Sequence, residues 1–250
     1  MKKKAFTLAE VLITLGIIGV VAALVMPGLI ADYRNKETVV RLKKNYTVLN
    51  QLVARVYADY DDSFEGIDYN DAWMVSAAKQ QEILGKYFAP YLSPVKVCYK
   101  DPEACRMPNR VDVWQDFNGT KAVAGSSDTD SYATFVMPDG STIYMSAPFV
   151  YGQDYEMLFM VDTNGPKAPN VLGFDVFRLN KKSGERMVKF ECFSSCNGGH
   201  LDGATGQYIV DKHDWENDFR MGRGYGYKIQ FDGWEKKKDG EIPYPGILMY

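Results

Sequence analysis

Apolar residues are distributed very unevenly along this chain. From Val11 to Met26 they form one uninterrupted block in which Thr14 is the only polar side chain. Extended back to Phe6, the block covers about 21 residues, and at roughly 1.5 Å of rise per residue a helix of that length matches a hydrocarbon core of about 30 Å. The pattern therefore predicts a membrane-spanning helix over Phe6–Met26. Lys2, Lys3 and Lys4 stand immediately before it. Positive charge beside an apolar segment marks the cytoplasmic side, so the N-terminus is expected inside and the rest of the chain outside.

Past Pro27 the pattern changes character. Val39, Leu42, Tyr46, Leu49, Val53, Val56 and Tyr60 recur at three-four spacing, while Lys36, Arg41, Lys43, Lys44, Asn45, Asn50 and Arg55 fall elsewhere. This spacing predicts an amphipathic helix whose apolar stripe packs on its own domain, with coiled-coil dimerisation as the rival use of the same stripe. From Phe6 to about Asp59 the two segments read as one long rod, half in the membrane and half a spine for the head. The acidic stretch 59–71 reads as a solvated loop, and Asp71 as the cap of a second helix over Ala72–Leu84 that ends at Gly85. From Tyr132 onward the chain reads as hairpins. Tyr132–Met137 and Ser141–Ser146 flank the turn Pro138-Asp139-Gly140. Tyr155–Asp162 and Gly173–Asn180 follow across Thr163-Asn164-Gly165, and Arg186–Glu191 comes after the Lys181–Gly184 turn. An antiparallel sheet with one face on the Val39–Tyr60 stripe is the expected head.

Three features of the apolar segment ask for more than a generic anchor. Glu10 places a carboxylate inside it, at a cost that approaches roughly 2.5–3.5 kcal/mol at the bilayer centre, so a partner is required. Gly16 and Gly19 are small residues that let membrane helices approach closely. Pro27 removes a backbone donor and predicts a kink or local melting where the helix leaves the membrane. A cleavable secretory signal leaves the length of the block unexplained. A plain signal anchor leaves Glu10 and the abrupt Lys4-Ala5-Phe6 junction unexplained.

The run Ala5-Phe6-Thr7-Leu8-Ala9-Glu10-Val11-Leu12-Ile13, continued to Gly19 and Pro27, resembles the N-terminus of type IV prepilins and type II secretion pseudopilins. The resemblance implies cleavage between Ala5 and Phe6 by prepilin peptidase, with Ala5 as the small residue before the cut, and N-methylation of Phe6. It also implies that Glu10 pairs with the new α-amine of a neighbouring subunit's Phe6, so that two buried charges neutralise each other and set the register of assembly. Gly16, Gly19 and Pro27 would serve the same helix bundle. Cutting removes the lysine cluster, so the helix can leave the bilayer without three cations. Shorter stretches, Asp162–Asn170 with Gly173-Phe174-Asp175 and the late Asp232-Gly233-Trp234, also resemble segments of bacterial pilin-like heads.

Composition narrows the function further. A net charge of −3 with mixed signs lacks the basic field that non-specific nucleic-acid binding exploits, so no nucleic-acid partner is expected. Cys98, Cys105, Cys192 and Cys196 all fall on the predicted outer side, where thiols oxidise. Three connectivities are open, and the local pairs Cys98–Cys105 and Cys192–Cys196 have the cheapest loop closure. Their spacing and compartment argue against a zinc site.

Other hints of chemistry are discounted. Ser76-Ala77-Ala78-Lys79 matches S-x-x-K without its K-T-G companion. His200 near Cys196 suggests a Cys–His nucleophile, but a disulfide-bonded cysteine cannot attack. Gly222–Gly226 lacks the strand and helix that a phosphate loop needs. Asp162, Asn164 and Asp175 are oxygen donors that could hold calcium, with an Asx-type turn as the expected reading. The run Lys236-Lys237-Lys238 reads as an exposed, solvated turn. No catalytic residue, metal or cofactor is expected.

The expected fold is α+β: a long N-terminal helix packed on an antiparallel β-sheet head. Residues 1–5 form a cytoplasmic leader, 6–60 the helix, with 6–26 transmembrane and 35–60 the spine, and 61–250 a periplasmic or extracellular head. The expected function is a non-enzymatic structural subunit of a type IV pilus or secretion pseudopilus, minor to judge by the size of its head. Its partners would be prepilin peptidase, other pilin or pseudopilin subunits, an inner-membrane assembly platform and the bilayer. A tip-located binding module and an unassembled anchored periplasmic protein are the alternatives.

Overall fold

A computed structural model of the protein describes residues 7–61, 77–99, 105, 132–151, 154–168, 170–190, 200–201, 208–209, 226, 229–230, 233–234 and 236. Its dominant element is α1, Leu8–Tyr60, a single helix of 53 residues. At about 1.5 Å per residue it is about 80 Å long. Thr7 caps its start, and Asp61 ends it in the left-handed region at φ 49°, donating its amide to the Tyr57 carbonyl at 2.9 Å. The helix passes through Pro27 without interruption, which corrects the expected local melting. Pro27 lacks only the one N–H that would reach the Ala23 carbonyl, and the regular turns on either side keep theirs.

The second half of α1 buries Val39, Leu42, Leu49, Leu52, Val53 and Val56, largely the predicted stripe. Asn45 is buried with them at 1% exposure, although its polarity alone places it on the outer side. It is tolerated because its amide is engaged at both ends: Nδ2 donates to the Arg41 carbonyl at 3.0 Å, and Oδ1 lies 3.3 Å from the Ser141 hydroxyl, whose one proton it shares with Asp139. Asn50 does similar work one and a half turns on. Its Oδ1 accepts from the Val188 amide at 3.0 Å.

Two short helices follow, α2 (Ala77–Tyr87) and α3 (Ala89–Leu92). Asp71 lies outside the described residues. Gly85 sits inside α2 and does not end it. A side chain there would meet the Tyr99 hydroxyl at 3.0 Å, so its use is close approach to a neighbouring strand. Ile83, Leu84, Tyr87, Phe88 and Leu92 join the core beside α1, and Tyr60 meets Tyr87 edge to face with centroids 4.8 Å apart.

The strands are β1 (Lys96–Tyr99), β2 (Tyr132–Val136), β3 (Thr142–Ser146), β4 (Phe149–Tyr151), β5 (Asp154–Asp162), β6 (Val176–Lys182), β7 (Lys189–Phe190), β8 (His200–Leu201) and β9 (Tyr208–Ile209). Seven of them form an antiparallel sheet in the order β1-β2-β3-β5-β6-β7, with β4 also paired to β5, while β8 and β9 pair separately. The Pro138–Gly140 hairpin falls where its turn residues place it, whereas β6 begins three residues later than Gly173 and continues through Lys181 and Lys182, which the sequence reads as turn, and β4 is an unanticipated strand. Sequence pattern misses β1, because a four-residue strand far ahead of its pairing partner, with Val97 in register with Phe135, has no turn signal of its own to mark it. The register carries one apolar row across the sheet, Val97–Phe135–Ile143–Val161–Phe177, on the face that meets α1. The opposite face is buried as well, by a second cluster of Cys98, Cys105, Tyr132, Tyr144, Leu158, Met160, Leu172 and Val176. The sheet is thus covered on both sides. Cys98 and Cys105 are joined in a disulfide with Cα atoms 6.0 Å apart, as local closure predicts. Cys192 and Cys196 lie outside the described residues.

Candidate functional site

The first half of α1 is built unlike the rest of the chain. Thr7 and Glu10 form a capping box: the Thr7 amide and hydroxyl both donate to Glu10 Oε2 at 2.8 Å, and the Glu10 amide donates to Thr7 Oγ1 at 3.3 Å. The box satisfies orphan donors of the first turn, which apolar surroundings would otherwise leave bare. The spacing Thr-x-x-Glu is present in the sequence and could have revealed it. Glu10 thus has a partner in its own turn, and both bonds use the same carboxylate oxygen. Ala5 and Phe6 lie outside the described residues.

Above the box, Thr14 turns its hydroxyl back to the Glu10 and Val11 carbonyls, each at 2.9 Å, so the only polar side chain of the block is spent on its own backbone. Leu8, Leu12, Ile13, Leu15, Ile17, Ile18 and the large apolar residues up to Ile30 face outward. Among the described residues, nothing beyond the helix's own neighbouring backbone stands within 4 Å of where a side chain on Gly16 or Gly19 would be. The segment is long and apolar enough to cross a membrane, and none of its most apolar window is buried. So large an apolar surface requires lipid or other apolar helices around it.

At the other end of this exposed stretch, two hairpin turns close on α1 in a polar collar. Arg41 Nη1 donates to the Asp139 carbonyl at 2.9 Å and the Thr163 carbonyl at 3.3 Å, reaching both turns at once. Its guanidinium also pairs with Glu37 at 2.9 Å. Lys44 pairs with Asp139 at 2.7 Å, and Ser141 donates to the same carboxylate from its amide at 3.0 Å and its hydroxyl at 2.6 Å. Burial opposes ionisation of Asp139, but Lys44 and Ser141 overcome it and hold the carboxyl at about 2. The turns also touch each other. A side chain at Gly165, φ +69°, would lie 2.5 Å from the Gly140 carbonyl oxygen, so glycine is needed both for the dihedral and for the contact.

Behind the collar the long β5–β6 connection is organised by two buried aspartates. Asp162 accepts the Asn164 amide at 3.1 Å, which is the expected Asx turn. Asp175 accepts from Asn164 Nδ2 at 3.0 Å, the Asn170 amide at 3.0 Å and the Val171 amide at 2.7 Å. Burial, and then the neighbouring Asp175 charge, push the Asp162 carboxyl well above its usual range. Burial also raises Asp175, to about 6, against its three hydrogen bonds. These carboxylates therefore act in the structure as acceptors that shape a turn. Among the described residues no three His, Cys, Asp or Glu side chains converge on a metal-binding position.

Two late residues, Trp234 and Lys236, pack on α1 and on the β5–β6 connection respectively. Trp234 lies against Tyr46, centroids 5.4 Å apart, with Tyr46 stacked on Phe190 at 5.1 Å and Lys43 positioned 5.8 Å from the indole. Lys236, expected in an exposed solvated run, is instead half-buried. Its ammonium donates to the Phe174 carbonyl at 2.8 Å and lies 4.3 Å from the Phe174 ring centroid. Burial lowers it to about 7, opposed by the Asp175 charge. Local sequence hides this because the partners of Lys236 are some 60 residues earlier, on a turn that offers both a carbonyl and a carboxylate. Ser76 lies outside the described residues, as does most of Gly222–Gly226, and His200 sits on the isolated β8–β9 pair.

Two family models match the chain. The prokaryotic N-terminal methylation motif matches residues 1–26, and a family of unknown function (DUF6613) matches residues 28–115. No curated protein and no solved structure matches it. The first match coincides with the capped, outward-facing apolar half of α1, and the second begins just past Pro27 and takes in the spine. With the methylation motif, the long helix and the antiparallel sheet together, the chain is type IV pilin-like or pseudopilin-like in motif and layout.

Proposed function

We propose that this protein is a structural subunit, minor in its filament, of a type IV pilus or type II secretion pseudopilus. Prepilin peptidase removes leader residues 1–5 by cutting between Ala5 and Phe6, and Phe6 is then N-methylated. Residues 6–26 hold the subunit in the inner membrane with its N-terminus cytoplasmic, residues 35–60 form the spine, and residues 61–250 form the head on the far side. An assembly platform draws the subunit into a filament through the outward-facing half of α1. Gly16 and Gly19 allow close approach of neighbouring helices there, and Pro27 marks the passage from bundle to head.

The observation that carries this reading is one continuous helix with two unlike halves. Its first half has a methylation motif and no packing partner among the described residues, and its second half is the core of a folded head. Neither half explains the other unless the apolar part is meant for surroundings outside the subunit. Glu10 fits the same scheme. Its capping bonds occupy one carboxylate oxygen, which leaves the other to accept a neighbouring α-amine in an assembled bundle.

Mass spectrometry of the native protein tests the processing step. The expected mature N-terminus is N-methyl-Phe6, and an intact Met1 in cells that carry the peptidase, or a cut near Ala23, removes the proposal. Glu10→Leu tests assembly separately: membrane insertion is expected to persist while incorporation into filaments is lost. Normal incorporation of that variant would end the charge-pairing role.

A further inference from the structure

We propose that the membrane-facing end of the head is a docking surface for anionic lipid headgroups, formed by Arg34, Lys36 and Lys167. The inference rests on the reading of the first half of α1 as a membrane span. It goes beyond it by assigning the head, and not only the helix, to the bilayer surface.

Distance along the helix supplies the first step. The last outward-facing large apolar residues of α1 before the head are Ile30 and Tyr33, and the first side chain buried in the head is Val39. Six residues of helix rise about 9 Å. The polar zone on each side of a bilayer is about 5–8 Å deep, so, measured from Tyr33, Arg34 and Lys36 stand at headgroup level and the near end of the head just beyond it. Tyr33 is 69% exposed at this boundary, where an amphipathic ring favours the interface.

The collar fixes which other residues share that level. Because Arg41 holds the Asp139 and Thr163 carbonyls, both hairpin turns are pinned beside α1 about two turns past Tyr33, at the edge of the head nearest the membrane. Lys167 is exposed on the β5–β6 connection two residues past Gly165, where the backbone passes too close to the Gly140 carbonyl oxygen to admit a side chain. Arg34 and Lys36 are exposed on α1, and none of the three cations is in an ion pair with a described residue. The carboxylates of this end are largely engaged: Glu37 with Arg41 and Asp139 with Lys44, while Asp32 also lies on the stretch with an interaction of its own. A positive surface remains, within a Debye length of about 8–10 Å of lipid phosphates. Each such cation contributes about 1 kcal/mol near an anionic surface, which is about fivefold in a docking equilibrium. The head would thus rest on the leaflet until extraction, and the first step of extraction would break these contacts.

Full-length protein reconstituted into vesicles of zwitterionic lipid alone, and into vesicles containing phosphatidylglycerol, tests the surface. Alkaline extraction reports insertion of the span, and amide exchange reports the turns 138–140 and 163–168. Those turns are expected to be protected in the anionic vesicles only, with protection lost at high salt. The variant R34Q/K36Q/K167Q is expected to weaken it by about fivefold per cation removed, with exchange in β3 and β5 unchanged. An inserted span with the same exchange in both vesicle types overturns this inference alone. Equal protection in zwitterionic vesicles on adding inorganic phosphate overturns it too, because the surface would then take a free anion. Failure of the span to insert overturns the anchoring reading and this inference with it.

Discussion

Over its first six or so turns α1 shows its large apolar side chains to the outside, with Leu8 80% and Leu24 77% exposed, whereas a few turns later Leu42 and Leu49 are wholly buried. Both stretches are rich in aliphatic residues and both are regular helix. They differ in what satisfies them. The later stretch has its partners in the same chain, a row of side chains across the sheet and two asparagines that clamp it to the strand connections. In the earlier stretch only the polar groups are satisfied internally, through the Thr7–Glu10 box and the back-bonded Thr14, and the apolar surface is left for another environment. A helix can therefore be continuous in geometry while its two halves draw their stability from different places.

The comparison breaks if a cavity in the buried half leaves the head intact. Leu49→Ala removes a side chain with no exposed surface from the contact between α1 and the sheet. A loss of about 2–5 kcal/mol in head stability is expected, because the rigid sheet limits collapse into the cavity. Chemical denaturation of the full-length protein in detergent, followed by Trp fluorescence, measures it. Leu15→Ala in the exposed half should leave the same transition unmoved. Equal effects of the two substitutions would mean that the halves are not energetically distinct.

How much of this is legible in the sequence depends on where each partner lies. The apolar block, the stripe from Val39 to Val56, the Pro138–Gly140 hairpin and the Cys98–Cys105 bridge all depend on residues close in sequence, and periodicity or turn chemistry reveals such features directly. Asn45 falls three residues after Leu42 and four before Leu49, in phase with the stripe, but only the distant Ser141 hydroxyl makes its burial tolerable. Gly85 reads as a helix end because glycine usually means a left-handed residue there, while its actual use is room for Tyr99. Lys236 reads as solvated because lysine runs usually are. At the functional end, Glu10, Gly16 and Gly19 are visible as anomalies in an apolar run, whereas the collar depends on the meeting of two turns that no local pattern encodes.

A second prediction concerns the polar node behind the collar that organises the β5–β6 connection. The Asp162 carboxyl is raised in the fold by burial and by Asp175, so the folded state keeps protons that the unfolded chain has already released. Stability from this group is therefore intact below the ordinary value of 3.8 and declines as pH rises above it toward the raised folded value. Asp175, raised to about 6, acts in the same direction over the window from 3.8 to about 6. Lys236, lowered to about 7 from 10.5, works oppositely: the unfolded chain binds the extra proton there, so stability recovers as pH rises from about 7. Asp175 and Lys236 together predict a shallow minimum of melting temperature between about pH 6 and about pH 7, and Asp162 adds to the decline that begins above 3.8. Asp162→Asn keeps an oxygen for the Asn164 amide and removes the repelling charge, so the acid-side slope should flatten and the melting temperature above pH 6 should not fall. A slope unchanged in this variant would show that Asp162 does not carry its share of the effect.

The smallest expected effect addresses the other half of the helix. Thr7→Ala removes the hydroxyl that accepts the Glu10 amide and donates to its carboxylate, leaving a bare donor in the first turn. Loss of an N-cap of this kind costs about 1 kcal/mol, or about a fivefold faster opening of that turn. Amide exchange of residues 8–11 in full-length protein reconstituted in lipid would report it. The first turn frays locally, and the melting of the head should be unaffected, since the nearest side chain of α1 buried in the head is Val39. The same substitution frees Glu10 Oε2 from the Thr7 hydroxyl, so a carboxylate kept for a neighbouring amine should tolerate the change in assembly better than the first turn tolerates it in exchange. If head melting shifted along with the first-turn exchange, the two halves of α1 would be one cooperative unit after all, and the outward-facing block would owe its order to the head.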